Sequence, residues 1–239
     1  MNDLDHRIAA ALESLYCEAD ASRPTVEQCI TPLSALVGAY NLTCTEVREL
    51  SSATASNSLL QRGGLHSPLD STNAEPLAGF LYAEPRHGAI FVERDDRLTR
   101  RRFSVAHELG HYLLHFRPIL LNADQDGDTP TTLTDALLRE MSDDATPDDL
   151  QLGHVTIAAI PSPHPLLPPL EQMEREANAF AATLLMPGVL LMQLREHWRR
   201  TYWEEDLVWR LATDMLVSRA TMRWRLHSLG LVVTRPLWN

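Results

Sequence analysis

The chain has 239 residues, of which 44% are hydrophobic, and its 32 acidic and 21 basic side chains give a formal net charge of −11. This length and composition fit one large domain or two small ones with an ordinary apolar core. The acidic balance disfavours nonspecific nucleic-acid binding by the whole protein, because a phosphate backbone would repel it.

The cysteine count and the first residues indicate the compartment. Cys17, Cys29 and Cys44 form no CxxC pair, which predicts free thiols and no cysteine-ligated zinc. The start of the chain lacks the basic and apolar regions of a secretory signal, and no apolar run approaches the roughly 20 residues of a membrane span. We therefore predict a cytoplasmic protein that does not bind a membrane.

The first third of the chain alternates between helical and irregular patterns. Apolar residues recur at helical spacing over residues 3–20, which predicts a helix. A second helical stretch covers 25–40, with Pro32 as a point where it can break. Residues 43–47 form a candidate strand. Residues 51–77, rich in Ser, Asn, Thr, Gly and Pro, show no clear period and predict a long loop.

A hairpin and a helix follow. Residues 79–83 and 89–93 are rich in aromatic and β-branched side chains, and a loop of about five residues joins them, which predicts an antiparallel pair. The next helix is expected over 99–116, with a stop at Arg117-Pro118.

Residues 118–170 read as an acidic, Pro-rich insertion. Between 122 and 150 there are nine acidic residues against one basic residue. We predict a solvated segment with a short helix over 133–141 and a stiff linker over 162–169.

Helices dominate the last part of the chain, and the last two have a helix-turn-helix rhythm. Gly230 is the expected C-terminal cap. The predicted helices are 170–186, 189–198, 206–215 and 219–229. The predicted division is a domain at 1–187, with 118–170 inserted, and a helical subdomain at 188–239.

The most informative pattern is His107-Glu108-x-x-His111 in the helix over 99–116. Side chains four residues apart share one helix face, so both imidazoles can bind the same metal ion. Glu108 can reach a water held by that ion. This is the arrangement of HExxH zinc hydrolases, in which the glutamate is the general base.

A catalytic zinc needs a third protein ligand. The HExxHxxGxxH pattern requires histidine at 117 and glycine at 114, but the chain has Arg117 and Leu114. His115 lies about 12 Å along the helix from His107, too far to share the ion, so we expect it to pack or to support a ligand.

A better third ligand lies in the helix over 170–186. Glu174 and Asn178 are four residues apart and share one face, opposite an apolar face. Glu174 can bind the metal, and Asn178 can hydrogen-bond the second ring nitrogen of a ligand histidine.

Together, the motif at 101–115 and Glu174-x-x-Ala-Asn178 resemble the ImmA/IrrE family of zinc-dependent peptidases, over residues 78–116 and 170–233. The resemblance favours Glu174 over Glu176 as the third ligand. It implies a mostly helical α+β, zincin-like domain with a small antiparallel sheet and one Zn²⁺ ion. It also implies a protein substrate, a helix-turn-helix repressor or an antitoxin, whose cleavage regulates transcription.

Several alternatives stay open at this point. The sequence does not identify the residue that stabilises the oxyanion; the candidates are Tyr82, Tyr112, His115 and His164, and a structural role is favoured for each of them. The strand over 89–93 is proposed as a sheet edge that aligns an extended substrate. The C-terminal helices could instead bind DNA, or the chain could be a metal-bound sensor without protease activity. The oligomeric state, including a homodimer, is undecided.

Overall fold

The computed structural model describes residues 3–61, 75–126, 133–138 and 166–231. The helices are α1 (Asp3–Glu18), α2 (Leu33–Gly38), α3 (Ser52–Gln61), α4 (Leu98–His111), α5 (Arg117–Asp126), α6 (Leu170–Leu185), α7 (Gly188–Trp198), α8 (Glu204–Asp214) and α9 (Arg219–Ser228). The strands are β1 (Leu42–Val47), β2 (Leu77–Ala83), β3 (Gly88–Glu93) and β4 (Leu133–Leu138). The predicted α+β class is confirmed.

The strands form one mixed sheet in the order β1-β3-β2-β4. The predicted hairpin is present, with β2 antiparallel to β3 and Phe80 opposite Phe91. β1 adds a parallel pair to β3, and β4 pairs antiparallel with β2. Because β3 lies between two strands, the prediction that the strand over 89–93 is a sheet edge is wrong.

Both faces of the central hairpin are covered. Alternation along the strands directs Leu81, Ile90 and Val92 into the main core with the helices around α4 and α6. Phe80 and Phe91 face the other way, into a smaller core under α3. This double coverage explains why every residue of β2 and β3 is buried.

Helix α3 occupies the start of the region that we predicted to be a loop over 51–77. Its buried face is Ser52, Ala55, Ser56 and Leu59, which is helical spacing. Because two of these four positions are serines, the sequence shows no apolar helical pattern here. The Ser56 hydroxyl is satisfied within the helix, since it donates to the Ser52 carbonyl at 2.8 Å. Residues 62–74 lie outside the described part of the chain.

The helix predicted over 25–40 is much shorter than expected. α2 begins at Leu33, directly after Pro32, and ends at Gly38. Proline lacks an amide hydrogen and disfavours helical geometry in the residue before it, so Pro32 suits a helix start but not a helix interior.

The predicted stop at Arg117-Pro118 is also wrong. After α4 the chain makes a π-helical turn over Tyr112–Phe116 and continues directly into α5. A proline ring clashes with the carbonyl four residues earlier in a regular helix, and the wider π turn provides room for it. Pro118 therefore lies in the first turn of α5.

Within the insertion, the short helix predicted over 133–141 is instead strand β4 at residues 133–138. Pairing with the buried strand β2 outweighs the local preference of this segment. Residues 127–132 and 139–165 of the insertion lie outside the described ranges, and they include the first half of the linker predicted over 162–169.

The C-terminal helices match their predictions closely. Gly230 has a φ of +65°, the left-handed conformation of a helix C-cap. Leu191, Leu211 and Met222 belong to the same main core as α4 and α6. The division at 187/188 remains a prediction.

Among the described helices, none alone has the length and apolar character to cross a membrane. α6 and α7 meet those criteria only when taken as a pair, and they are bent by 44° at the break between them.

Candidate functional site

Helix α4 places two histidines side by side. His107 and His111 are four residues apart, and both are completely buried. Their Nε2 atoms lie 3.0 Å apart, so both rings direct the same nitrogen toward one point.

A glycine allows α6 to approach this part of α4 closely. A Cβ atom at Gly110 would lie 3.2 Å from the Ala177 Cα atom and 3.1 Å from the Phe180 ring. Only a residue without a side chain allows this spacing with little adjustment. The contact lies between the two predicted motifs and brings Glu174 opposite the histidine pair.

Three ligand atoms converge at this contact. The Glu174 carboxylate lies 3.2 Å from His107 Nε2 and 3.3 Å from His111 Nε2. One atom from each of the three residues falls within 4.8 Å of the others, and all three residues are buried. A tetrahedral zinc with bonds of 2.0–2.1 Å has ligand-to-ligand distances of about 3.3 Å, so the cluster fits such an ion.

The electrostatics around Glu174 also suit a residue that binds a cation. Burial opposes ionisation of Glu174, but the neighbouring His111 and His107 outweigh it and hold the pKa of this carboxyl well below its usual range. Glu174 is therefore a carboxylate at neutral pH.

Asn178 lies where a supporting residue is needed. Its Oδ1 atom is 3.0 Å from His107 Nδ1. This contact fits the tautomer with its proton on Nδ1, which leaves Nε2 free to bind a metal.

Glu108 is completely buried but is not one of the three convergent ligands. Its carboxylate lies against the backbone of β2, where a Cβ atom added at Gly79 would be 2.5 Å from Glu108 Oε1. Glu108 thus lies between α4 and the sheet, directly after His107 of the candidate metal cluster.

His115 takes part in a different buried cluster. Its Nε2 donates to Glu176 at 3.1 Å, and Glu176 also accepts from Arg7 of α1 and from Gln172. Burial and the nearby His111 lower the pKa of His115 to about 4, so it is neutral at pH 7. Burial raises the pKa of Glu176, but its three hydrogen bonds outweigh that effect and lower it overall.

This cluster predicts a measurable loss of stability. Replacing Glu176 with glutamine leaves Arg7 without its charged partner, and we expect the free energy of unfolding to fall by about 1–2 kcal/mol. The low end of the usual range applies because the Arg7 side chain is 37% exposed and solvent screens it. Chemical denaturation of the metal-free protein measures this change.

The control for this variant is Glu171→Gln on the same helix. Glu171 is 88% exposed and lies 4.0 Å from Arg175. Its loss should change stability by less than about 0.5 kcal/mol. Equal effects of the two variants would contradict a stabilising role for the buried cluster.

The proposed oxyanion helpers are occupied elsewhere or undescribed. The Tyr82 hydroxyl bonds to Glu84, and His115 bonds to Glu176. Tyr112 packs against Tyr40, with ring centroids 5.7 Å apart. His164 lies outside the described residues. Of the four, Tyr82 and His115 therefore already have polar partners of their own.

Two contributors to the site were not predicted. Gly79 gave only a weak signal, a glycine at the start of a strand, which often marks close backbone approach. Arg7 gave none, because its partner Glu176 is 169 residues away in sequence.

Comparison with protein families confirms the resemblance found in the motifs. The model described as the IrrE N-terminal-like domain, a peptidase family, matches residues 69–135. The matched segment contains His107, Glu108 and His111 but ends before Glu174. A comparison with curated proteins gives no match.

Proposed function

We propose that this chain, which carries the IrrE N-terminal-like domain of a peptidase family, is a zinc-dependent endopeptidase that cleaves a partner protein. The observation that carries the proposal is the buried cluster of His107, His111 and Glu174 beside the equally buried Glu108. A glutamate that adjoins a metal cluster without joining it is placed as a general base.

The donor set supports zinc as the metal. Two imidazole nitrogens and one carboxylate oxygen form a set used by catalytic zinc, with a fourth position left for water. When bound, zinc supplies Lewis-acid chemistry, which acidifies water and polarises the scissile carbonyl. Metal analysis would distinguish zinc from iron(II), which also binds two histidines and a carboxylate.

Residues of this chain transfer the proton during the proposed reaction. Glu108 accepts it from the attacking water and then passes it to the leaving amine. Asn178 holds the His107 ring with its Nε2 toward the cluster. The sheet backbone at Gly79 limits where the Glu108 carboxylate can lie.

The proposed substrate is a helix-turn-helix repressor or an antitoxin, and its cleavage would change gene expression. The resemblance to the ImmA/IrrE family supports this class of substrate. A cytoplasmic location belongs to the same proposal, and the three free cysteines are compatible with it.

The contacts of α9 favour a structural role for this helix over DNA binding. Arg225 is largely buried and donates to the Met186 carbonyl and the Thr183 hydroxyl at the end of α6. Arg223 pairs with Glu205 at 2.6 Å. Arg225 therefore ties α9 to the end of α6, and both of these arginines already have partners within the chain.

Cleavage of a peptide library tests the activity even when the natural substrate is unidentified. The zinc-loaded protein is incubated with peptides from digested cellular protein and with purified helix-turn-helix repressors, and new termini are identified by mass spectrometry. We expect a restricted set of new termini that disappears when a chelator removes the metal and returns when zinc is restored. Bound zinc without new termini in either sample would favour the non-proteolytic sensor.

A further inference from the structure

The backbone of β2 forms a wall against the side chain of Glu108. A Cβ atom at Gly79 would lie 2.5 Å from Glu108 Oε1 and 3.3 Å from both Cδ and Cγ. Favourable contacts between non-bonded carbon atoms start near 3.5 Å, so even a methyl group at this position displaces the carboxylate. The position of the proposed general base thus depends on the missing side chain at residue 79.

A β-bulge lies at the same place. Leu77 pairs with Leu138 and Gly79 pairs with Leu137, which leaves Ala78 as one extra residue in β2. Its effect is visible in the packing. Leu77 belongs to the core under α3, whereas Leu81 belongs to the core on the α4 side. Strict alternation would place residues 77 and 81 on the same face, and the bulge removes that constraint.

We propose that Gly79, together with the bulge before it, is a positioning element for Glu108. The bulge changes which residues of β2 point to the α4 side of the sheet just before residue 79. The glycine then leaves the space that the carboxylate occupies. The Glu108 side chain lies between the β2 backbone at residue 79 and its own helix, directly after His107 in sequence. Gly79 is not among the three candidate metal ligands, and the role that we assign to it acts through Glu108.

The inference rests on the proposed peptidase function, because it assigns a reason for the position of the base. A general base must lie within about 2.6–3.2 Å of the oxygen that carries the proton it takes. A displacement of about 1 Å can reduce the rate by roughly 100-fold. A methyl group at residue 79 demands a shift of about this size.

The direct test is Gly79→Ala. We expect kcat to fall by about 100-fold while KM and zinc affinity stay close to their wild-type values, because the metal ligands are not displaced. The matched control is Gly38→Ala, since a Cβ atom there meets no atom within 4 Å. This control should retain wild-type kcat. Equal activity of Gly79→Ala and the wild type would overturn the proposal.

A double-mutant cycle separates positioning from general damage. Glu108→Asp shortens the side chain by one carbon–carbon bond, about 1.5 Å, and withdraws the carboxylate from residue 79. Alone, it should lower kcat. Combined with Gly79→Ala, it should cause little further loss, because the shorter side chain removes the 2.5 Å contact that the added methyl group makes with Oε1. Independent effects, in which the two fold-losses multiply, would overturn the proposal.

A second cycle measures stability and zinc binding and does not need activity. If the methyl group in Gly79→Ala clashes with Glu108, then removing the carboxylate with Glu108→Ala should restore the unfolding midpoint of that variant, while zinc content stays at the wild-type level in all four proteins of the cycle. Absence of such rescue in a destabilised Gly79→Ala variant would refute the contact. A wild-type protein that cleaves nothing would refute the proposed function, while this cycle would still test the position of Glu108.

Discussion

Replacement of Glu108 with glutamine is expected to reduce kcat by about 100- to 10,000-fold, the usual contribution of a general base. Zinc content should not change, because Glu108 is not among the three residues whose ligand atoms converge. Glutamine has nearly the same size, so it fits the space beside Gly79 that the glutamate occupies. It cannot accept a proton at neutral pH.

The stability of this variant is informative as well. Glu108 is completely buried, and removing a buried charge often stabilises a protein at the expense of its activity. We therefore expect the free energy of unfolding to be no lower than that of the wild type. A loss of activity accompanied by unfolding would not support the role of a base.

Three measurements on one preparation decide the assignment: cleavage of the library peptides, zinc per chain by mass spectrometry, and the unfolding midpoint. Glu171→Gln is the control, because it makes the same chemical change at a side chain that is 88% exposed. It should cleave at the wild-type rate. Full activity in Glu108→Gln would show that another group takes the proton.

Local spacing predicted the histidine pair of the candidate metal cluster, and the family resemblance selected Glu174 over Glu176 as its third member. The spacing of His107 and His111 fixes their common helix face, and the same rule pairs Glu174 with Asn178. What local patterns could not show is how α4 meets α6. That approach depends on Gly110 against Ala177, a contact between residues far apart in sequence.

The prediction errors arose where tertiary packing decided the outcome. Helix α3 covers the second face of the sheet with a stripe that includes buried serines, which a hydrophobic pattern does not count. Residues 133–138 formed a strand because β2 offered a pairing partner. The parallel pairing of β1 with β3 is likewise a long-range choice, which no local sequence pattern determines.

For His115, the sequence predicted that it is not a metal ligand but did not predict its partner. Its distance from His107 along the helix excluded it as a ligand, and the structure places it against Glu176. The π turn that contains His115, and the arginine of α1 that completes its cluster, have no signature in the local sequence. The bulge beside Gly79 was hidden for the same reason, because it is defined by the pairing of β2 with β4.

Replacement of Glu174 with glutamine is expected to weaken zinc binding by more than about 100-fold. Loss of a supporting residue alone costs 10- to 100-fold, and here a charged ligand is lost while the shape of the side chain is kept. At a free zinc concentration 100 times the wild-type Kd, zinc stabilises the wild type by about 2.7 kcal/mol. The same concentration would stabilise a variant with 100-fold weaker binding by only about 0.4 kcal/mol.

The controls for this variant distinguish the roles of Glu174 and Glu176 in zinc binding. Asn178→Ala should weaken zinc binding by about 10- to 100-fold, because only the support of His107 is lost. Glu176→Gln should leave zinc binding unchanged, since Glu176 is bound to His115, Arg7 and Gln172. Unfolding with and without zinc, together with competition against a chelator, measures all three variants. Wild-type affinity in Glu174→Gln, or a large loss in Glu176→Gln, would mean that the third ligand is not Glu174.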